Sequence, residues 1–160
     1  KWLAFITIHS AFSLLVIPGV FLLFAYFSKL ASGNKTIPLK RVFVSFAYTL
    51  IPLGLGVWVA FSWGIILPNG SYILHILSDP FAWGWNLFGT AGFPWTPFLT
   101  GTLGYLQGFT LIIFFIFSLA YGFRISKQIY DDIHQARRGW IPILIFLLLI
   151  TITFLWLYMG

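Results

Sequence analysis

Apolar and polar residues do not alternate along this chain; they are segregated into long blocks. Four runs, Trp2 to Phe27, Val42 to Leu67, Thr102 to Phe123 and Trp140 to Tyr158, contain no Asp, Glu, Lys or Arg. A helix needs about 20 apolar residues to cross a bilayer. In hydrocarbon only a helix satisfies all of its backbone groups within one segment. The pattern therefore predicts an all-α integral membrane protein, a single domain of four transmembrane helices, with connecting loops at 28–41, 68–101 and 124–139.

The loops differ sharply in charge. The first holds Lys29, Lys35, Lys40 and Arg41, and the third holds Arg124, Lys127, Arg137 and Arg138. The second, 68–101, has no Lys or Arg and a single acid, Asp79. Cytoplasmic loops of membrane proteins carry the excess of Lys and Arg. The rule places loops 28–41 and 124–139 in the cytoplasm, and both termini and loop 68–101 outside, in a membrane of the prokaryotic inner type. The third loop, with Asp131 and Asp132 among its cations, reads as an extension of the third helix, either plainly solvated or docking a cytoplasmic partner.

The long outer loop is aromatic. Its stretch SYILHILSD, Ser71 to Asp79, predicts a short amphipathic or interfacial helix between the second and third spans. Ser71 would cap its start, and Asp79-Pro80 would end it, because the residue before proline avoids the helical region. Tyr72, Ile73, Leu74, Ile76 and Leu77 cover most of its circumference, so it is expected to bury against protein or lipid. Trp83, Trp85 and Trp95 follow among glycines and prolines. Such residues suit a membrane–water boundary, a lid over the bundle, or a surface for a partner. Tyr72, His75, Trp83, Trp85 and Trp95 are the candidate partner-binding residues.

Composition reinforces the membrane reading. Charged residues are 8% and mean hydropathy is +0.97, against about 25% charged in soluble domains. The net charge of +6 is not a nucleic-acid footprint, because the cations sit in short clusters beside the spans. There is no cysteine, which excludes disulfides, thiolate zinc sites, c-type haem attachment and iron–sulfur clusters held by this chain. The chain starts at Lys1, which points to a removed leader or a longer parent chain. The first apolar run is too long for a signal-peptide core and reads as a true span.

Few side chains offer chemistry. His9 is the one histidine inside a span, and ionisable groups there are functional candidates by default. It fits quinol hydrogen bonding, or a histidine satisfied by a neighbouring hydroxyl or carbonyl. Haem b in a membrane needs a second histidine on a facing helix, and the spans supply none; His75 would approach only if the outer helix folded over the bundle. No metal site is expected. Pro18, Pro52 and Pro142 interrupt spans. In AYTLIPLGLG, Pro52 with Gly54 and Gly56 forms a break that lines a cavity or reflects the ordinary frequency of these residues in membrane helices. Tyr48 would supply a hydroxyl to such a cavity. Gly104 and Gly108 have the small-xxx-small spacing of close helix packing. Gln107 beside them is expected to bond across helices, with contact to a bound quinone or lipid as the alternative. Asn69-Gly-Ser reads as a turn after Pro68, and Asn34-Lys-Thr is discounted as a glycosylation acceptor because it falls on the cytoplasmic side.

The residues Pro52, Asn69-Gly-Ser71, Ser78-Asp79-Pro80-Phe81, Trp83-Gly84-Trp85 and Phe88-Gly89-Thr90 resemble the C-terminal membrane region of polyferredoxin-type proteins. These are the quinol-linked membrane components of periplasmic reductase systems, the NapH and NosR type. The resemblance covers Phe46 to about Gln107 and implies passage of electrons between membrane quinone and a partner, or anchorage of a complex that does so. That family holds iron–sulfur clusters on cysteines, which this chain lacks, so no ligand residue carries over.

Together these features predict a non-catalytic subunit of a larger membrane complex, a respiratory or other electron-transfer assembly. Its partners would be other membrane subunits, redox proteins among them, and lipid, with a quinone or lipid pocket bordered by His9, Tyr48, Gln107 or the loop tryptophans. A transporter or channel component for a neutral or apolar substrate and a membrane-enzyme assembly factor are the alternatives. No residue set suffices for catalysis by this chain alone.

Overall fold

The computed structural model of the chain describes residues 2–159, without the side chains of Leu3, Ala4 and Ser13. Helices dominate, and there is no strand among the described residues. The first span is α1 (Trp2–Ala11), a π-helical turn (Phe12–Val16) and α2 (Ile17–Ser32). The second is α3 (Leu39–Ala47) and α4 (Leu50–Asn69). Then come α5 (Tyr72–Ser78), a 3₁₀ turn at Thr100–Thr102, α6 (Leu103–Ile129) and α7 (Ile133–Met159). Four helical stretches, Phe5–Ser32, Leu39–Asn69, Thr100–Ile129 and Ile133–Met159, are long and apolar enough to cross a membrane. Each outruns the charge-free run that predicted it, because 27 to 31 residues exceed the about 20 that hydrocarbon requires. The charged loops shrink accordingly, the third to Tyr130–Asp132.

Two breaks in the spans trace to proline, which lacks the N–H for the carbonyl four residues back and crowds it. For Pro18 that carbonyl belongs to Leu14, inside the π-helical turn. For Pro52 it belongs to Tyr48, and the helix opens there, at Tyr48–Thr49, upstream of the Pro52–Gly56 segment where the sequence suggested it. The freed groups are recovered locally. Ile51 N–H donates to Tyr48 O at 3.3 Å and Thr49 N–H to Phe46 O at 2.9 Å. The buried Thr49 hydroxyl donates to the same Phe46 carbonyl at 2.6 Å. One local expectation fails and another is narrowed. Ser71 makes no cap bond to α5; its hydroxyl instead accepts from Thr96 N–H at 3.0 Å. Pro68 and Asn69 belong to the end of α4, where the Asn69 amide donates to Ile65 O at 2.9 Å, so the turn is confined to Gly70 and Ser71.

Helix α6 packs on α4 and α7, α7 packs on α2, and α2 packs on α3. The core lies toward the end that carries the Lys and Arg loops, around Phe21, Phe46, Tyr130, Trp140, Ile143 and Phe146. Contact is closest over glycines. A Cβ at Gly122 would collide with the Trp140 ring, and one at Gly56 with Phe114. Gly104 and Gly108 receive the end of α7, with Tyr158 O 3.4 Å and Met159 Sδ 2.8 Å from an added Cβ. Gly54 faces open space. Hydroxyls supply the rest. Buried Ser28 donates to Gly139 O at 2.6 Å and meets the Tyr130 hydroxyl at 3.1 Å. Ser126 donates to Ala136 O at 2.7 Å. Asn34 ties the first charged loop to α7 through Gln135 at 3.0 Å. At the other end α1 is bare: every side chain from Phe5 to Phe12 is exposed.

Gly122→Ala is expected to destabilise the bundle by about 1–3 kcal/mol, the usual cost of overpacking a tight contact. Gly54→Ala is expected to leave stability unchanged. Thermal unfolding of the two variants in the same detergent checks the difference.

Candidate functional site

The stretch from Gly70 to Thr102 connects α4 to α6 and holds itself together through two short side chains. Ser78, the one buried residue in it, accepts from Phe88 N–H and Thr90 N–H, each at 3.1 Å, and bonds the Thr90 hydroxyl at 2.9 Å. Its carbonyl accepts from Leu87 N–H at 3.1 Å. The Thr90 hydroxyl in turn donates to Leu74 O at 2.6 Å. Asp79 ends α5 and folds the next turn, its two carboxylate oxygens accepting from Trp83 N–H and Gly84 N–H at 2.8 Å each. Bonds to an ionised acceptor are the stronger kind. Gly84 and Gly89 take φ of +80° and +75°, the left-handed region where glycine avoids the Cβ penalty. These turns bring Phe81, Trp83 and Trp85 into one cluster, with centroid separations of 5.0 to 5.9 Å. Trp83 and Trp85 meet edge to face, a favoured aromatic geometry.

The loop is tied to α4 at its far end. Trp95 Nε1–H donates to Pro68 O at 3.0 Å, and Phe98 N–H donates to Leu67 O at 3.1 Å. Between loop and helix lies an apolar groove of about 570 Å³, lined among others by Ile66, Leu74, Phe93 and Phe98. A smaller cavity of about 150 Å³ adjoins it, lined by Ser71, Tyr72, His75, Phe93 and Trp95. No aromatic side chain of the loop is buried: Phe81, Trp83, Phe88, Trp95 and Phe98 are all exposed by more than half. Helix α5 is equally bare, with Tyr72 to Leu77 exposed, so the expected burial of this helix is not made against the bundle.

Of the residues singled out by sequence, Tyr72, His75 and Trp95 converge on one cavity, and Trp83 and Trp85 form a separate cluster. His9, Tyr48 and Gln107 do not converge. His9 is exposed on α1 and stacks on Phe5 at 6.0 Å. His75 has Tyr72 as its ring neighbour, and no hydrogen bond or ring contact joins the two histidines. The Gln107 amide is buried and donates to Ala60 O at 3.0 Å, binding α6 to α4, as does Trp63 Nε1–H to Thr110 Oγ1 at 3.3 Å. Tyr48 is exposed and lines a groove beside Arg41, near the charged loops. It precedes Ala60 by 12 residues on the same span, roughly 18 Å of helix at 1.5 Å per residue. No cluster of three or more His, Cys, Asp or Glu that could hold a metal occurs among the described residues.

Comparison with protein-family models, curated proteins and solved structures finds no match to the chain. The site therefore stands on its geometry. Sequence reading missed Ser78 and Asp79 as the pair that folds the loop. The signal was present: an acid before proline followed by turn glycines is the pattern of a carboxylate that accepts from the backbone just beyond it.

Asp79→Ala is expected to open the first turn, costing the loop about 1–3 kcal/mol of local stability through two lost charge-assisted bonds. The circular dichroism arising from the Trp83–Trp85 pair should be lost while the helical signal is unchanged.

Proposed function

We propose that the chain is a non-catalytic integral subunit of a larger membrane complex, with the loop from Gly70 to Thr102 as its docking surface. One observation carries this reading. The loop is internally well bonded through Ser78 and Asp79, yet it presents Phe81, Trp83, Leu87, Phe88 and Trp95 outward. A contiguous apolar surface of this kind marks a contact, and aromatic residues are favoured at the centres of interfaces. The side chains of α1 from Phe5 to Phe12 are likewise exposed. Its His9, carried on an exposed helix, would face a neighbouring subunit or border a quinone.

The complex we favour is a respiratory or other electron-transfer assembly. This rests on the resemblance to polyferredoxin-type membrane regions. The residues that carry the resemblance are largely those that fold the loop: Ser78, Asp79, Trp83, Gly84, Trp85, Gly89 and Thr90. The chain would anchor and position redox partners without holding a cofactor of its own. The apolar groove along Ile66 and Phe98 would accommodate a lipid or quinone tail. The distribution of Lys and Arg supports an orientation with both termini and the aromatic loop outside, and α5 lying at that membrane boundary. The break at Tyr48–Thr49 offers a transport reading less support: buried Thr49 sits at the Gly122–Trp140 contact, where the helices are tightly packed.

Extraction of the native membrane in mild detergent and isolation of this chain is expected to bring redox proteins at constant stoichiometry. Trp83→Ala with Trp85→Ala should release them while the four spans stay inserted. Recovery of the wild-type chain alone would refute the subunit reading, and unchanged association of the double variant would remove the cluster from the interface. The chain has no cysteine, so topology is tested independently. Leu87→Cys should react with a membrane-impermeant thiol reagent added from outside, and reaction only after lysis would reverse the orientation.

A further inference from the structure

At the opposite end from the loop, α3 and α6 enclose a groove of about 320 Å³ whose lining includes Arg41, Ser45, Tyr48 and Gln128. A second groove of about 290 Å³ continues from it along α3 and is apolar, lined by Phe43, Val44, Ala47, Tyr48 and Ile51. Tyr48 borders both. One exposed strip of helix thus carries a cationic, hydrogen-bonding pocket joined to a hydrocarbon-lined one. Arg41 stands at the last charged position before the apolar run begins, at the level where lipid headgroups meet hydrocarbon. Arg41 lines the groove, and its guanidinium has no carboxylate partner among the described residues. Asp132, one of the acids of the neighbouring turn, is engaged with Gln135 N–H at 3.2 Å. Lys40, Arg124 and Lys127 leave this end of the molecule strongly positive.

We propose that this groove binds an anionic phospholipid, with its phosphate on Arg41 and an acyl chain lying along Val44, Ala47 and Ile51. An unpaired guanidinium in a recess is suited to a phosphate, which it contacts through a rigid fork of donors. Ser45 and Gln128 supply further hydrogen-bonding groups for phosphate or glycerol oxygens. Basic pockets between membrane helices on the positively charged side are a physical match for anionic headgroups. A neutral quinone head would leave the guanidinium without its counter-charge, and free phosphate would leave the adjoining apolar groove empty. The inference does not depend on the docking role of the loop.

The test is lipid retention by the full chain, read by native mass spectrometry after reconstitution in nanodiscs of phosphatidylcholine with or without phosphatidylglycerol. The wild-type chain should retain phosphatidylglycerol in preference to phosphatidylcholine. Arg41→Gln should lower that retention roughly tenfold, the lower end of what a hydrogen bond to a charged group contributes. Ser45→Leu should lower it by filling the groove with every charge kept. Lys40→Gln, one residue away and outside the groove lining, should retain the lipid as the wild type does. Equal losses in the Arg41 and Lys40 variants would mean only general attraction and would overturn the proposal. So would retention unchanged by Ser45→Leu, displacement of the lipid by inorganic phosphate, or preferential retention of ubiquinone added to the phosphatidylcholine discs.

Discussion

In hydrocarbon, apolar side chains gain nothing by leaving lipid for one another, so close backbone approach and hydrogen bonds must hold membrane helices together. That constraint explains where this bundle is closed and where it is open. Near the charged loops, Gly122 lets Trp140 reach the α6 backbone, and Ser28, Ser126 and Tyr130 bind carbonyls and hydroxyls across three elements. Toward the aromatic loop, Gln107 and Trp63 join α4 to α6. In α1 the side chains from Phe5 to Phe12 are exposed.

The second span shows how the same constraint shapes a kink. Pro52 removes a donor from the Tyr48 carbonyl, and a free carbonyl is costly away from water. The helix answers with short-range bonds at Tyr48–Thr49 and a threonine hydroxyl on Phe46 O. The opening exposes Tyr48 on one side, beside the Arg41 groove, and buries Thr49 on the other, against Gly122 and Trp140. A single proline thus contributes to both the packed core and the amphiphilic recess on its surface.

Much of the fold was legible because charge-free runs of sufficient length have one structural solution in a membrane. The kink was legible in kind but not in place, since proline acts on the carbonyl four residues before it. The glycines were legible only as candidates: Gly56 meets Phe114 while Gly54, two residues away, meets nothing. Spacing alone cannot say which face a neighbour will occupy. Gly122 and Tyr130 went unnoticed because their partners, Trp140 and Ser28, are close only after the helices pack. The loop was read for its aromatics, whereas its shape depends on Ser78 and Asp79, whose partners lie up to 12 residues ahead. Gln107 was read correctly as a bond across helices. Gln107 is buried between α6 and α4, whereas His9 is exposed on α1 and Tyr48 at the Tyr48–Thr49 break.

In a subunit of a larger complex, another protein covers the exposed aromatic loop and the exposed α1. Photoreactive amino acids placed singly at Trp83 and at Phe5 and activated in native membranes test this most directly. A covering protein gives discrete protein adducts of constant mass from both positions, and none from a position on the same chain facing lipid away from them. Adducts to lipid alone at Trp83 and Phe5 would contradict it.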